Sequence, residues 1–225
     1  QASHRADGLI LLGYGDYADY REKLAALAEA NTRFIIWGPP VEDQPGHSFG
    51  CDNESGGYQA TSHLLGLGRQ RIAYIGRMAR RSPEHAARYN GYARALREVG
   101  MVPDDKIRVP ADNSETQGYE AAEQLIERGE EFDALFASTD LIAIGAMRAI
   151  QAAGMRIPED IAVVGFDDMP LAAYVSPGLT TMQQNAQRAG DALVEGIVHL
   201  IEGGSIESEV MAPKLIIRES CGART

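Results

Sequence analysis

The stretch Leu135–Asp168, "LFASTDLIAIGAMRAIQAAGMRIPEDIAVVGFDD", decides how this chain is read. A short apolar run, Ala134–Ala137, leads to Asp140, a residue type suited to cap a helix. Leu141–Ala153 repeats apolar residues at helical spacing, and Gly154 stands where a C-cap glycine belongs. Pro158, Glu159 and Asp160 supply turn chemistry. Ile161–Phe166 is a second continuous apolar run, and it ends abruptly in two adjacent carboxylates, Asp167 and Asp168. Strand, helix, strand in this order is the unit of an open α/β sheet with right-handed crossovers.

The alternation continues outward. Leu9–Leu12, Arg33–Trp37, Ser48–Cys51 and Arg71–Ile75 read as strands, mostly continuous rather than alternating, as strands covered on both faces are. Tyr17–Ala30, Ser55–Leu67, Arg88–Val99, Glu115–Arg128 and Ala186–Glu202 read as helices. Gly100 is placed as another C-cap, and "SETQ" at Ser114–Gln117 as a capping box. The predicted fold class is α/β with open parallel sheets.

Composition narrows the function. Of 225 residues, 44% are hydrophobic and 24% charged, the balance of a folded globular chain. No apolar run approaches the roughly 20 residues that span a bilayer, so no membrane partner is expected. The first residues, "QASHRADGLILLG", show no signal-peptide pattern, and the cytoplasm is the expected location. The net charge of −11 argues against duplex DNA as a direct partner of this chain. The basic stretch "RMARRS", with Arg77, Arg80 and Arg81, reads as a solvated loop. Cys51 and Cys221 are far apart, and the histidines form no ligand spacing, so neither a disulfide nor a metal site is expected.

In open α/β sheets, ligands bind beyond the carboxyl ends of the strands. Here those ends carry Tyr14 and Asp16, Trp37, Asp52 and Asn53, Thr139 and Asp140, and Asp167 and Asp168. Any one of them reads as well as a cap or turn former. An aromatic ring among short acceptors suits a sugar, whose C–H faces stack and whose hydroxyls donate. Asp167 and Asp168, as neighbours, point in different directions; one is expected to face a ligand while the other caps or faces solvent. Gly13–Ala18 fits G-x-G-x-x-A, but Trp37-Gly38-Pro39-Pro40 stands where the ribose-binding acid of a dinucleotide site belongs. No Walker A or G-x-S-x-G motif is present. The chain is read as a binding protein with no cofactor, not as an enzyme.

Five blocks together resemble the effector-binding core of the lactose-repressor/galactose-repressor (LacI/GalR) family of bacterial transcription regulators. They are "DGLILLG" (Asp7–Gly13), "DNESGGYQATSHLLGLGRQRIAYIG" (Asp52–Gly76), "RYNGYARAL" (Arg88–Leu96), Leu135–Asp168, and "PGLTTMQQN" (Pro177–Asn185), before a C-terminal "PKLIIRES". The resemblance implies two similar open parallel-sheet subdomains of the periplasmic-binding-protein type with a cleft between them. One would take 1–76 with 185–212, the other 77–184 with 213–225. It implies ligand contacts from Arg88 in R-x-x-G, from Asp167, from Thr139 with Asp140 beside it, and from Asp52 and Trp37. Asn113 falls where a stacking aromatic is common, and Tyr14 and Gln184 complete the candidate set. It implies a small-molecule effector, a sugar on the evidence of Trp37 and its acceptors, and a homodimer formed through helices such as Tyr119–Arg128 and Leu141–Ala153. Operator DNA would be reached only through a helix-turn-helix module that this sequence does not contain. Two strand–helix units that precede "DGLILLG" in the family are also not in this sequence, so the first subdomain is expected to be incomplete, with Leu9–Leu12 on an open edge. The alternative reading is a periplasmic sugar-binding protein of a transporter, which shares the fold.

Overall fold

A computed structural model describes residues 6–13, 20–77 and 83–223. They form two compact units. The first comprises the described residues within Gln1–Asp52, Arg80–Pro83 and Asn185–Ala212; the second those within Asn53–Ala79, Glu84–Gln184 and Pro213–Thr225.

The first unit is built on a parallel sheet in the order β1 (Leu9–Leu12), β2 (Phe34–Trp37), β3 (His47–Cys51) and β9 (Glu209–Met211). Helix α1 (Arg21–Glu29) packs Leu24 with Phe34 and Ile36 on one face. Helix α6 (Ala186–Ile201) packs Ala189, Leu193 and Ile197 with Ile35 and Phe49 in a second cluster. Those three α6 residues recur four apart, the single apolar stripe of a helix lying on a sheet.

The second unit holds a six-stranded sheet in the order β10 (Lys214–Ile216), β8 (Thr180–Gln183), β7 (Ala162–Asp167), β6 (Ala134–Ala137), β4 (Ile72–Ile75) and β5 (Arg108–Val109). Only β10 runs antiparallel among these described strands. Its helices are α2 (Asn53–Gly66), α3 (Pro83–Glu98), α4 (Glu115–Glu127) and α5 (Asp140–Ala152). β4 and β6 are buried along their whole length and β7 up to its last residue, which is why they read as unbroken apolar runs. Helices α4 and α5 cross at backbone contact. A Cβ on Gly145 would stand 2.0 Å from the Glu115 carbonyl oxygen, and one on Gly118 2.2 Å from that of Ile142.

The unit boundary differs from the sequence expectation. β4 had been placed with the first subdomain, yet its Ile72–Ile75 pairs in register with Ala134–Ala137 of β6. Helix α2 likewise packs on β7 and β10. The chain therefore leaves the first unit after Asp52, not after Gly76. Two cap readings also change. Thr139, not Asp140, is the N-cap of α5, and its hydroxyl accepts from the Ile142 N–H. The capping box is half formed: Ser114 accepts from the Gln117 N–H, while the Gln117 amide turns to Glu120. Gly100 and Gly154 take the left-handed φ of +78° and +81° that end a helix. The short strands β5, β8, β9 and β10 are additions to the sequence reading.

Candidate functional site

The order of the second sheet marks where a ligand belongs. β4 continues through α3 to β5 on one side, whereas β6 continues through α5 to β7 on the other. Connections that part in opposite directions open a crevice at the carboxyl ends of β4 and β6, the topological switch point.

Arg88, on α3, is delivered to this point and is only 4% exposed. Helices α2 and α3 meet so closely that a Cβ on Gly57 would stand 2.0 Å from the Arg88 carbonyl oxygen, so only glycine lets α3 lie this deep. Nε, Nη1 and the face of the guanidinium are engaged. Nε donates to Asn53 Oδ1 at 2.8 Å, and Nη1 donates to the Ser138 carbonyl at 2.6 Å. Nη1 also lies 3.3 Å from Asp167 Oδ1, and the guanidinium carbon stacks 3.7 Å above the Phe166 ring. A planar cation held by a face contact and a fork of donors is a rigid, pre-oriented group.

Asp167 ends β7, and its side chain keeps 23% exposure. Its Oδ1 also accepts from the Gln184 amide, while no described residue donates to Oδ2. Burial pushes its carboxyl above the usual range, and Arg88 and Gln184 only partly oppose that. Its backbone φ of +119° is one that residues with a Cβ rarely adopt, and Asp168 follows at +56°. Such strain costs of order 1–3 kcal/mol per residue and gathers where a side chain must be aimed.

The neighbouring carboxylates do other work. Asp168 accepts from Gln183 and from Arg218, both at 2.7 Å, so it ties the end of β7 to β8 and the C-terminal segment. The sequence expectation that the second aspartate caps or faces solvent is thus replaced by a part-buried ion pair. Asp140 is fully buried. Its oxygens accept from the Thr181 hydroxyl at 2.5 Å and from the Met169 N–H at 2.7 Å, and burial pushes its pKa up to about 7. As a candidate ligand contact it is corrected: it has no exposed surface and both oxygens are occupied.

Thr139 donates to Asn113 Oδ1 at 2.7 Å, which pairs these two candidates beside the crevice; Asn113 is exposed. Trp37 and Asp52 belong to the first unit, at the ends of β2 and β3. The Trp37 ring packs on the cluster around Ile35 and Phe49, and the Asp52 N–H donates to the Met211 carbonyl. Tyr14, with most of the G-x-G-x-x-A stretch, lies outside the described residues, as do Arg80 and Arg81. The sequence reading missed Ser138, Phe166 and Arg218 as partners, because they act through a backbone carbonyl, a ring face and a distant C-terminal segment respectively. No group of His, Cys, Asp or Glu among the described residues is arranged to hold a metal ion, and no described helix is long and apolar enough to cross a membrane.

Residues 61–221 match the family described as "Periplasmic binding protein-like domain". The chain is similar to the HTH-type transcriptional repressor PurR of Aliivibrio salmonicida (strain LFI1238), at 32% identity over 227 residues covering 97% of this chain. It spans 66% of that protein's length. Among solved structures, the transcriptional regulator CelR in complex with cellobiose superposes with a TM-score of 0.86 at 32% identity, covering 97% of this chain and 67% of that one. A LacI-family transcriptional regulator from Enterococcus faecium with bound ribose superposes with a TM-score of 0.84 at 27% identity, covering 96% and 79%. These relatives are transcriptional regulators, not enzymes. By sequence and fold, this chain belongs to the periplasmic-binding-protein-like domains of LacI-family regulators, as an effector-binding domain.

Proposed function

We propose that the chain binds an uncharged sugar as the effector of a LacI-type regulator. The observation that carries this is the Arg88–Asp167 pair at the switch point: a rigid donor fork beside a partly exposed carboxylate, with charges that cancel. A sugar hydroxyl both donates and accepts, so it can satisfy acid and base at once. A phosphate or carboxylate would sit against Asp167, with Asp168 next to it. The cellobiose and ribose complexes of the relatives support the same class. Thr139, Asn113, Gln184, Trp37, Asp52 and Tyr14 are proposed as further contacts. The intact regulator would act in the cytoplasm as a homodimer, with α4 and α5 as a subunit face. It would reach operator DNA through a separate helix-turn-helix module, and effector and operator would favour different arrangements of the dimer.

Thermal unfolding of the chain with neutral sugars, including cellobiose and ribose, and with sugar phosphates tests this. A neutral sugar at one hundred times Kd should add about 2.7 kcal/mol of stability. Asp167→Ala should abolish that gain while the ligand-free protein still folds. Stronger stabilisation by a sugar phosphate than by any neutral sugar would overturn the effector class. Unchanged affinity in the variant would remove Asp167 from the site.

A further inference from the structure

Two consecutive residues with a Cβ hold positive φ at the end of β7, Asp167 at +119° and Asp168 at +56°. Either alone is uncommon, and the backbone keeps such a pair only where its surroundings over-determine it. The strand ladder stops too early to do this, because Asp167 with Gln183 is the last pair in the β7–β8 register. The Asp167 side chain cannot do it independently either. Its partners are Arg88 and Gln184, both proposed ligand contacts, so a bound ligand would share them.

The constraint begins at Asp168. Both carboxylate oxygens are taken, Oδ1 by Arg218 Nη2 and Oδ2 by the Gln183 amide, each donating at 2.7 Å. The Asp168 side chain is 13% exposed and that of Arg218 20%. The next backbone N–H, of Met169, donates to Asp140 at 2.7 Å. Arg218 is fixed in its turn. Its N–H donates to the Thr180 hydroxyl at 2.9 Å, and its Nη1 donates to the Leu179 carbonyl at 2.7 Å. One guanidinium nitrogen is thus anchored on the segment that leads into β8 while the other grips the carboxylate, and the planar fork acts as a brace. Without it, Asp168 keeps one side-chain partner and a left-handed backbone to maintain.

We infer that Arg218, acting through Asp168, is a positioning residue for effector binding: the pair holds the positive-φ turn that aims the Asp167 carboxylate beside Arg88. The inference rests on the effector reading above and deepens it, since neither residue of the brace touches the ligand. With the brace removed, the backbone relaxes toward negative φ. Ligand binding must then restore the strained turn, and affinity falls by that cost.

Calorimetric titration of neutral sugars, headed by cellobiose and ribose, tests it. The proteins are wild type, Arg218→Ala, Asp168→Ala, Asp168→Gly and Asp167→Ala, each held well below its unfolding midpoint so that only folded protein is compared. Arg218→Ala and Asp168→Ala should bind about tenfold more weakly than wild type. Asp168→Gly lacks the same carboxylate but adopts positive φ freely, so it should bind at least about threefold more tightly than Asp168→Ala. A brace that served stability alone would lower the midpoint and leave the affinity of the folded protein unmoved. If Arg218→Ala does not fold, the two Asp168 variants decide between the same outcomes. Wild-type affinity in Arg218→Ala, or equal affinity in Asp168→Ala and Asp168→Gly, overturns the inference. Binding that is lost in Asp167→Ala but unchanged in Arg218→Ala and Asp168→Ala overturns it and spares the effector reading. No sugar binding by the wild type overturns both.

Discussion

The two sheets of this chain are made from the same kind of strand, and they differ in what happens at their carboxyl ends. In the second unit the described strand order reverses between β4 and β6, and the reversal is filled by an internally wired set of groups: Arg88, Asp167, Asp168, Arg218 and Asp140. In the first unit, β1, β2 and β3 follow one another in a single direction, and the described strands show no reversal. The second sheet carries fully buried strands and helices at backbone contact; the first leaves Ile10 and Leu12 exposed on β1. The difference teaches that strand ends alone do not make a site. The proposed site adds a switch point and a buried, pre-oriented charge, and both depend on packing tight enough to hold them.

The largest effect should come from breaking that packing. Gly145→Ala puts a Cβ 2.0 Å from the Glu115 carbonyl, backbone that cannot rotate away. Separating α4 from α5 should cost about 3 kcal/mol or more, lowering the unfolding midpoint by roughly 10 °C. A midpoint within 2 °C of wild type would show that the helices slide apart easily, and the claim of rigidity in this unit would fail.

A smaller effect isolates Asp140, the carboxylate whose two oxygens are both engaged within the wiring. Asp140 titrates at about 7 in the folded protein, mainly because it is buried, against 3.8 when solvated. Between about pH 4 and 7 the folded state holds a proton that the unfolded chain has released, so this group's contribution to stability falls as pH rises through that window. Carboxylates with lowered pKa values, such as Asp160 at about 2, act in the opposite sense at lower pH, and they are shared by wild type and variant. The difference in unfolding free energy between wild type and Asp140→Asn, followed from pH 4 to 8, should therefore shift against the wild type up to about pH 7 and then level. A difference that is flat with pH would mean that Asp140 is ionised throughout.

Much of the second unit was legible in the sequence, because full burial writes itself as uninterrupted apolar runs such as "AVVGF", and glycines end its helices where the backbone turns left-handed. The site was legible in part. Asp167 stood out as a charge on the most apolar strand, and Arg88 through its R-x-x-G context. What stayed hidden was the division of labour among three nearby aspartates. It is set by Thr181, Met169, Gln183 and Arg218, which lie from 15 to 50 residues away along the chain. No local pattern encodes such pairings. For the same reason β4 was assigned to the wrong unit: its apolar run shows that it is covered, not which strand it pairs with.

The least costly changes belong to the first unit, and they sharpen the comparison by reversing its sign. Gly190 lies exposed in α6 with nothing within 4 Å of an added Cβ, so Gly190→Ala should stabilise by about 0.5–1 kcal/mol through helix propensity alone. The same substitution that disrupts α5 at Gly145 thus helps α6. Just before β1, a Cβ on Gly8 would point toward Ile197 and Ile201 of α6, so Ile10 and Leu12, two and four residues on, face the same side. There they stand 42% and 62% exposed, with Val194 and Val198 also exposed on the helix, and among the described strands β1 pairs only with β2. An apolar parallel edge of this kind is a template for further strand pairing. Leu12→Lys should leave the unfolding midpoint within about 0.5 kcal/mol equivalent of wild type while reducing concentration-dependent self-association in sedimentation. Equal self-association in the two proteins would mean that the β1 edge is not where copies of the chain meet, and would confine the contrast between the units to their strand ends.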